Sequence, residues 1–287
     1  MTKRFYRKLI LPLAASIPAA GMLLAAPPAG ASTSATAGSS PSAQAAALAR
    51  EAIRHLSIGQ HATDSPAGHA LTVNGLTNVK SNNWSGYADT GRSVSRVSGR
   101  WKEPTGSCGL DVISMAAFWV GIDGFKSSSV EQDGTLIECY LGTEYQYTWW
   151  EMYPTNAVQT VGSAVRSGDS ITASVVRSGS RYTLKVTDST HPGNSFSRTE
   201  TGSGDANSSA EWIAEAPSGT AGEYPLTNFG TWRVSGAAVT EGSRSGTISS
   251  FSDDKITMTD TLGNTQAQPS GLSSGGSAFS VAWRSSL

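Results

Sequence analysis

Two separated segments carry residue types that together could break a peptide bond. One is a glutamine in Val130-Glu131-Gln132-Asp133-Gly134-Thr135, and the other a glutamate in Ser209-Ala210-Glu211-Trp212-Ile213-Ala214-Glu215. A carboxylate can activate water, and a carboxamide can hold the oxyanion that forms when a carbonyl is attacked. Other hydrolytic machinery is scarce. His191 is the only histidine downstream of the N-terminal segments, and Cys108 and Cys139 are the only cysteines. A Ser-His-Asp triad, a Cys-His pair or a multi-His zinc site would have to be built around His191. That histidine lies in Asp188-Ser189-Thr190-His191-Pro192-Gly193-Asn194, a run of turn formers, and reads as a loop residue. Asp89-Thr90-Gly91 spells the short aspartic-protease signature, but Asp260-Thr261-Leu262 is not a second copy, so the triplet reads as a turn. Asp253-Asp254 and Asp260 lack calcium-loop spacing, and neither a metal nor another cofactor is expected.

Glutamates next to tryptophan recur. Glu151 lies in Tyr147-Thr148-Trp149-Trp150-Glu151-Met152-Tyr153-Pro154, and Glu211 precedes Trp212. On a strand, Glu211, Ile213 and Glu215 share one face while Trp212 and Ala214 take the other. Charges alternating along a strand usually mark a solvated face. Carboxylates flanked by aromatics can instead be partly buried, which raises their pKa and suits proton transfer, and such sites also suit sugar binding. Spacing does not choose among these uses.

The elements that must position these residues follow from the rest of the chain. Basic residues Lys3, Arg4, Arg7 and Lys8 precede an apolar stretch from Leu9 to Ala26, and Pro28-Ala29-Gly30-Ala31-Ser32 follows. This is the pattern of a secretory signal over residues 1–31, cut after Ala31, so a secreted, extracellular protein is expected with no membrane span afterwards. Residues 32–78 read as a pro-segment. It is Ala/Ser-rich at first, then carries one helix over 43–56 with Ser42 as N-cap and Leu48, Ala52 and Leu56 on one face. Three of the four histidines, His55, His61 and His69, fall in it.

Residues 79–287 suffice for one domain with a sizeable core. Ile171, Ala173 and Val175, then Tyr182, Leu184 and Val186 beyond the turn Arg177-Ser178-Gly179-Ser180, alternate as a hairpin does. Ile256 and Met258 precede the turn Leu262-Gly263-Asn264, and Phe279, Val281 and Trp283 close the chain. An all-β sandwich or barrel is the expected class. Two cysteines in a secreted chain predict a Cys108–Cys139 disulfide. Acidic residues outnumber basic ones from Lys80 onward and no basic run occurs, which argues against a nucleic-acid partner.

Six segments in order then resemble the secreted glutamic peptidases (eqolisins). They are Asn83-Trp84-Ser85-Gly86, Val97-Ser98-Gly99-Arg100-Trp101-Lys102-Glu103-Pro104, Phe118-Trp119-Val120-Gly121-Ile122-Asp123-Gly124 leading to Gln132, Tyr147 to Pro154, Ala210 to Glu215, and Asn228-Phe229-Gly230. On these the chain is identified as a bacterial member of that family. The resemblance implies a sandwich of two antiparallel, curved sheets of the concanavalin A-like lectin and glucanase type. It also implies an acid endopeptidase, acting on protein or peptide substrates, with Gln132 and Glu211 as the catalytic dyad. Trp119, Asp123, Trp149 and Glu151 fall on the family's supporting positions, with Trp84 near the cleft. Leu136 stands where fungal members tend to carry an aspartate. A monomer is expected, held latent by its own pro-segment. A glycoside hydrolase using Glu151 and Glu211, or a sugar-binding module stacking on tryptophan, is the alternative on the same architecture.

Overall fold

The computed structural model describes residues 47–49, 51–53, 55–59, 71–73, 76–110, 113–202 and 205–286. The expected signal sequence, the Ser42 cap, His61 and His69 lie outside these residues. Residues 47–49 and 51–53 are helical, within the helix expected over 43–56.

Among the described residues beyond them, strands dominate. In order these are β1 (Leu71–Val73), β2 (Leu76–Ser81), β3 (Trp84–Thr90), β4 (Val94–Lys102), β5 (Ile113–Ile122), β6 (Val130–Tyr140), β7 (Thr143–Tyr153) and β8 (Asn156–Gly162). There follow β9 (Ser170–Ser178), β10 (Arg181–Asp188), β11 (Phe196–Thr201), β12 (Ser209–Glu215), β13 (Ser218–Gly219) and β14 (Gly222–Glu223). The last are β15 (Thr231–Glu241), β16 (Arg244–Gly246), β17 (Asp253–Thr259), β18 (Thr265–Pro269) and β19 (Phe279–Trp283).

Pairing sorts these into two layers. One runs β1-β2-β17-β3-β12-β5-β6-β7-β8, the other β18-β19-β15-β4-β9-β10-β11. β17 also pairs with β18, so the layers are continuous at one edge. All of these ladders are antiparallel except β2 on β17, where Thr77–Ser81 runs parallel to Asp254–Met258. The expected sandwich is what forms, and the expected hairpin is β9–β10, with Ala173 opposite Val186 and Val175 opposite Leu184.

The core between the layers is aromatic. Phe118 meets Phe229 edge-on at 5.2 Å, and Trp101 meets Trp232 at 5.5 Å, the offset geometry that ring quadrupoles favour. Trp212 is buried on this side and donates from Nε1 to the Ser98 carbonyl at 2.8 Å. β5, β6 and β12 are buried on both faces, because the side turned away from the core is itself covered. That second side holds Trp84, Trp119, Leu136, Tyr147, Trp149 and Ile213, and Ile53, Leu56 and Ile58 of the N-terminal segment pack among them. Among the described residues, no helix is long and apolar enough to cross a membrane.

Cys108 and Cys139 form the expected disulfide, tying the segment after β4 to the end of β6 across a separation of 31 residues. Closing a loop of this size restricts the unfolded chain. Replacing both cysteines by alanine should cost about 2–4 kcal/mol, visible as a lower midpoint in thermal or urea unfolding; an unchanged midpoint would show that the bond constrains nothing. The Asp89-Thr90-Gly91 triplet is only partly a turn, since Asp89 and Thr90 complete β3 and Asp89 is fully buried.

Candidate active site

The floor of the covered face is a set of cross-strand rows. Ile213, Trp119, Gly134 and Trp149 stand side by side on β12, β5, β6 and β7. Glycine at 134 is required there: a Cβ would lie 2.0 Å from the Phe118 carbonyl oxygen and 2.8 Å from the Trp119 Cα. Beside this row lies Glu211, Gly121, Gln132 and Glu151, and on its other side Glu215, Ala117, Leu136 and Tyr147. Side chains in register on neighbouring strands project to the same face, so the β-alternation of four strands delivers both glutamates, Gln132 and Glu151 to one surface.

Gln132 is fully buried. Its Nε2 donates to Glu151 Oε2 at 2.8 Å and to the backbone carbonyl of Ile58 at 2.7 Å. A carboxamide nitrogen has two hydrogens, and these two bonds use both. Glu151 therefore aims the amide donor. Burial pushes the Glu151 carboxyl up to about 8, partly offset by its bond from Gln132 and by the Ile58 backbone amide.

Glu215 gathers a different set of donors. Both its oxygens lie 2.9 Å from the Gly59 backbone nitrogen, and Trp119 Nε1 donates to Oε2 at 2.9 Å. Asn83 Nδ2 adds a long bond of 3.5 Å to Oε1, and the Trp84 indole also faces the carboxylate. Trp84 stacks edge-on against Trp119 at 5.0 Å, which holds both indoles in place. Burial raises the Glu215 carboxyl well above the usual range, with the Gly59 and Trp119 donors pulling the other way and neighbouring Glu151 pushing it further up.

One peptide unit thus lies between the two groups. The Ile58 carbonyl faces Gln132, and the Gly59 nitrogen faces Glu215. The segment is set there by Ser57, which exchanges backbone hydrogen bonds with Ser218 at 2.8 and 3.0 Å, an antiparallel bridge onto β13.

The sequence-predicted residues do not all meet. Trp84, Trp119 and Glu151 surround Gln132 and Glu215 as described, and Trp149 is a wall of the same apolar floor. Asp123 has a different task. Its carboxylate receives the backbone amides of Asn207 at 2.6 Å and Ser208 at 2.8 Å, anchoring the strand entry that leads to β12. Glu211 is buried two strands from Gln132, and neither of its oxygens has a well-formed hydrogen bond. Its surroundings are the Ser209 hydroxyl and the Phe125 backbone, with Asp123 and Glu131 as like charges; burial raises its carboxyl well above the ordinary range. Not foreseen from the sequence are Glu215 as the partner of this peptide, Asn83, and the N-terminal pair Ile58 and Gly59. A signal for the first existed, since Glu215 shares the strand face of Glu211.

His191 is remote from this chemistry. Its Nδ1 lies 2.9 Å from Asp169. Gly271-Leu272-Ser273-Ser274-Gly275 fits the G-x-S-x-G spacing, but Ser273 sits in a turn between β18 and β19 and donates to the Ala278 carbonyl. It lies on no strand-to-helix elbow.

Residues 82–283 match the Peptidase A4 family. The chain belongs to that family. It is 27% identical over 195 residues to aspergillopepsin-2 of Aspergillus niger, covering 60% of this chain and 69% of that protein. Among solved structures it resembles scytalido-glutamic peptidase bound to a transition-state analogue inhibitor, with a TM-score of 0.61 and 22% identity over 71% of this chain and 98% of that one. The eqolisin SCP-B in complex with the tripeptide Ala-Ile-His gives 0.56 and 21%, again over 71% and 98%. The fold is accordingly the eqolisin β-sandwich, and family membership makes the protein a peptidase.

Proposed function

We propose that this peptidase is secreted, works in acid, and cleaves peptide bonds with Gln132 and Glu215 as its dyad, Glu215 taking the place expected of Glu211. The observation that supports this is the single peptide unit held by both groups, carbonyl to Gln132 and nitrogen to Glu215. Ionised Glu215 takes a proton from the water that attacks the carbonyl carbon. The Gln132 amide, aimed by Glu151, donates to the oxygen that becomes an oxyanion, and Glu215 returns the proton to the leaving nitrogen. Trp119 and Trp84 hold the carboxylate in line. Glu211, buried with Ser209 and Asp123, then acts on the fold and not on the bond.

The pro-segment acts as an intramolecular inhibitor by lying across this site. Its departure would re-solvate Glu215 and bring the carboxyl back towards the ordinary value of about 4.3, where a carboxylate base works best in similarly acidic medium. The glycosidase alternative pairs Glu151 with Glu211. Those residues are three strands apart with Gln132 between them, and Glu151 is engaged by Gln132.

The test is hydrolysis of a denatured protein by processed enzyme from about pH 2 to 7. Acid-dependent cleavage untouched by chelators and by thiol or serine reagents is expected. Cleavage abolished by any of those reagents, or absent throughout, would overturn the mechanism.

A further inference from the structure

Six of the fifteen lysines and arginines from Lys80 onward stand on the outer face of the layer that does not carry Gln132 and Glu215. Trp101, Ile171, Leu184 and Trp232 of that layer turn into the core. Strand alternation therefore sends Arg96, Arg100 and Lys102 of β4, Arg181 and Lys185 of β10 and Arg233 of β15 the other way, and all six are exposed. Hydroxyls stand between them. Ser235, Arg100, Thr172 and Thr187 form one cross-strand row, and Ser98, Ser174, Lys185 and Ser197 the next.

The acids of the same strands lie on the core side, Asp188 opposite Ile171, Glu200 opposite Tyr182 and Glu241 opposite Val94, each of these partners being buried. The ion pairs among the described residues are His55–Glu51 and His191–Asp169, so no carboxylate neutralises any of the six cations. Two depressions cross the face and meet at Thr172. One, of about 960 Å³, is lined by Arg100, Lys102 and Arg233, and the other, of about 290 Å³, by Arg96 and Lys185. Glu103 borders the larger one, but it is buried, and burial pushes its carboxyl up to about 8, so it is uncharged in acid. From Arg96 to Lys102 the track runs about 20 Å.

We propose that this track binds an anionic polysaccharide, a glycan bearing sulfate or phosphate groups, and tethers the peptidase to it while the cleft on the other layer stays free. Guanidinium groups pair bidentately with tetrahedral oxyanions, and lysine adds a point charge. Serine and threonine hydroxyls both donate to and accept from the hydroxyls of a sugar ring. Sulfate esters and phosphodiesters stay ionised in the acid medium proposed for this enzyme, whereas carboxylates, with ordinary values near 4, lose their charge there. An acidic peptide is therefore the poorer fit. The aromatic residues of β4, β10 and β15, namely Trp101, Tyr182 and Trp232, are all buried on the core side, which leaves no platform there for the base stacking that single-stranded nucleic acid uses.

The experiment measures equilibrium binding of the full chain, in acid and low salt, to dextran sulfate, poly(glycerol phosphate), uncharged dextran and single-stranded DNA. Wild type should bind dextran sulfate, poly(glycerol phosphate) or both, ignore dextran, and weaken steeply as salt rises, because released counterions drive such contacts. Arg100→Ser/Lys102→Ser/Arg233→Ser should weaken binding on the order of 100-fold, from about fivefold for each cation lost near an anionic surface. Arg96→Ser/Lys185→Ser, in the second depression, should weaken it on the order of 10-fold. Arg92→Ser/Arg244→Ser/Arg284→Ser, which removes equal charge from exposed sites elsewhere, should keep near wild-type affinity. Each variant, trimmed of its N-terminal segment, should hydrolyse denatured protein at the wild-type rate, which excludes misfolding and leaves the dyad mechanism to its own test. A preference between the two anionic polymers identifies sulfate or phosphate as the group bound. Equal losses in the two triple variants, or no binding to either polymer, would overturn the proposal. Tighter binding to DNA than to both would overturn it in favour of nucleic acid.

Discussion

Glu215→Gln should lower hydrolysis of a denatured protein by on the order of 10²- to 10⁴-fold, the range that a positioned acid–base group supplies. Glu211→Gln, by contrast, should leave a folded, active enzyme. The two glutamates sit four residues apart on the same face of β12, so only their surroundings separate them. Glu215 lies under four nitrogen donors, from Trp119, Asn83, Trp84 and the Ile58–Gly59 peptide. Glu211 has Ser209 and like-charged Asp123 and Glu131 for company. Glutamine preserves the size of either side chain but can neither accept nor return a proton. Comparing kcat/KM for the two variants, each with its segment removed, decides between the carboxylates. Loss in Glu211→Gln with retention in Glu215→Gln would reverse the assignment.

Raising the pH from about 4 to 9 should unfold the protein, and this is the largest stability effect expected. Burial pushes Asp89 and Glu131 up to about 9, and Glu103 and Glu138 up to about 8. Asp133, buried between the layers, is raised as well. Asp89 is pushed further by Asp253, Glu241 and Asp254 around it. The sign follows from linkage. These folded-state values exceed the unfolded values near 4, so the stability they contribute is full in acid, below the unfolded pKa. It is lost progressively as pH climbs to the folded pKa, because only the unfolded chain can release its protons cheaply. One group displaced by two units already costs about 2.7 kcal/mol, against a whole-domain stability of roughly 5–15 kcal/mol. Melting temperature by circular dichroism should therefore be highest in acid and collapse in alkali. A midpoint constant from about pH 4 to 9 would contradict the buried, protonated state of these carboxyls.

What could be read from the sequence was set by short-range periodicity. The alternation of Ile171, Ala173 and Val175 with Tyr182, Leu184 and Val186 implied the hairpin that β9 and β10 form, and two cysteines implied their one bond. The floor of tryptophans came from the family resemblance, which placed Trp84, Trp119 and Trp149 together. Choice between Glu211 and Glu215 was out of reach of that reasoning. Both obey the same alternation, and the difference arises from cross-strand neighbours, Trp84 and Ala117 beside one and Ala88 and Gly121 beside the other. Nor do charged residues on that face imply solvent, because the Ile53–Gly59 segment and the aromatic floor bury them. The docking of Ile58 and Gly59 is a contact across 74 residues to Gln132 and 156 to Glu215, which no local pattern encodes.

In the proposed mechanism Gln132 and Glu215 act on one peptide bond as a unit. The most direct measurement is the hydrolysis rate of a single fluorogenic peptide by trimmed wild type, Gln132→Ala, Glu215→Gln and the double variant. Gln132→Ala alone should cost on the order of 100- to 1000-fold, as loss of one oxyanion donor does. Residues that act as a unit are grossly non-additive, so the double variant should be about as slow as Glu215→Gln alone. Losses that multiply, or a Glu215→Gln enzyme that keeps most of its rate, would contradict the claim.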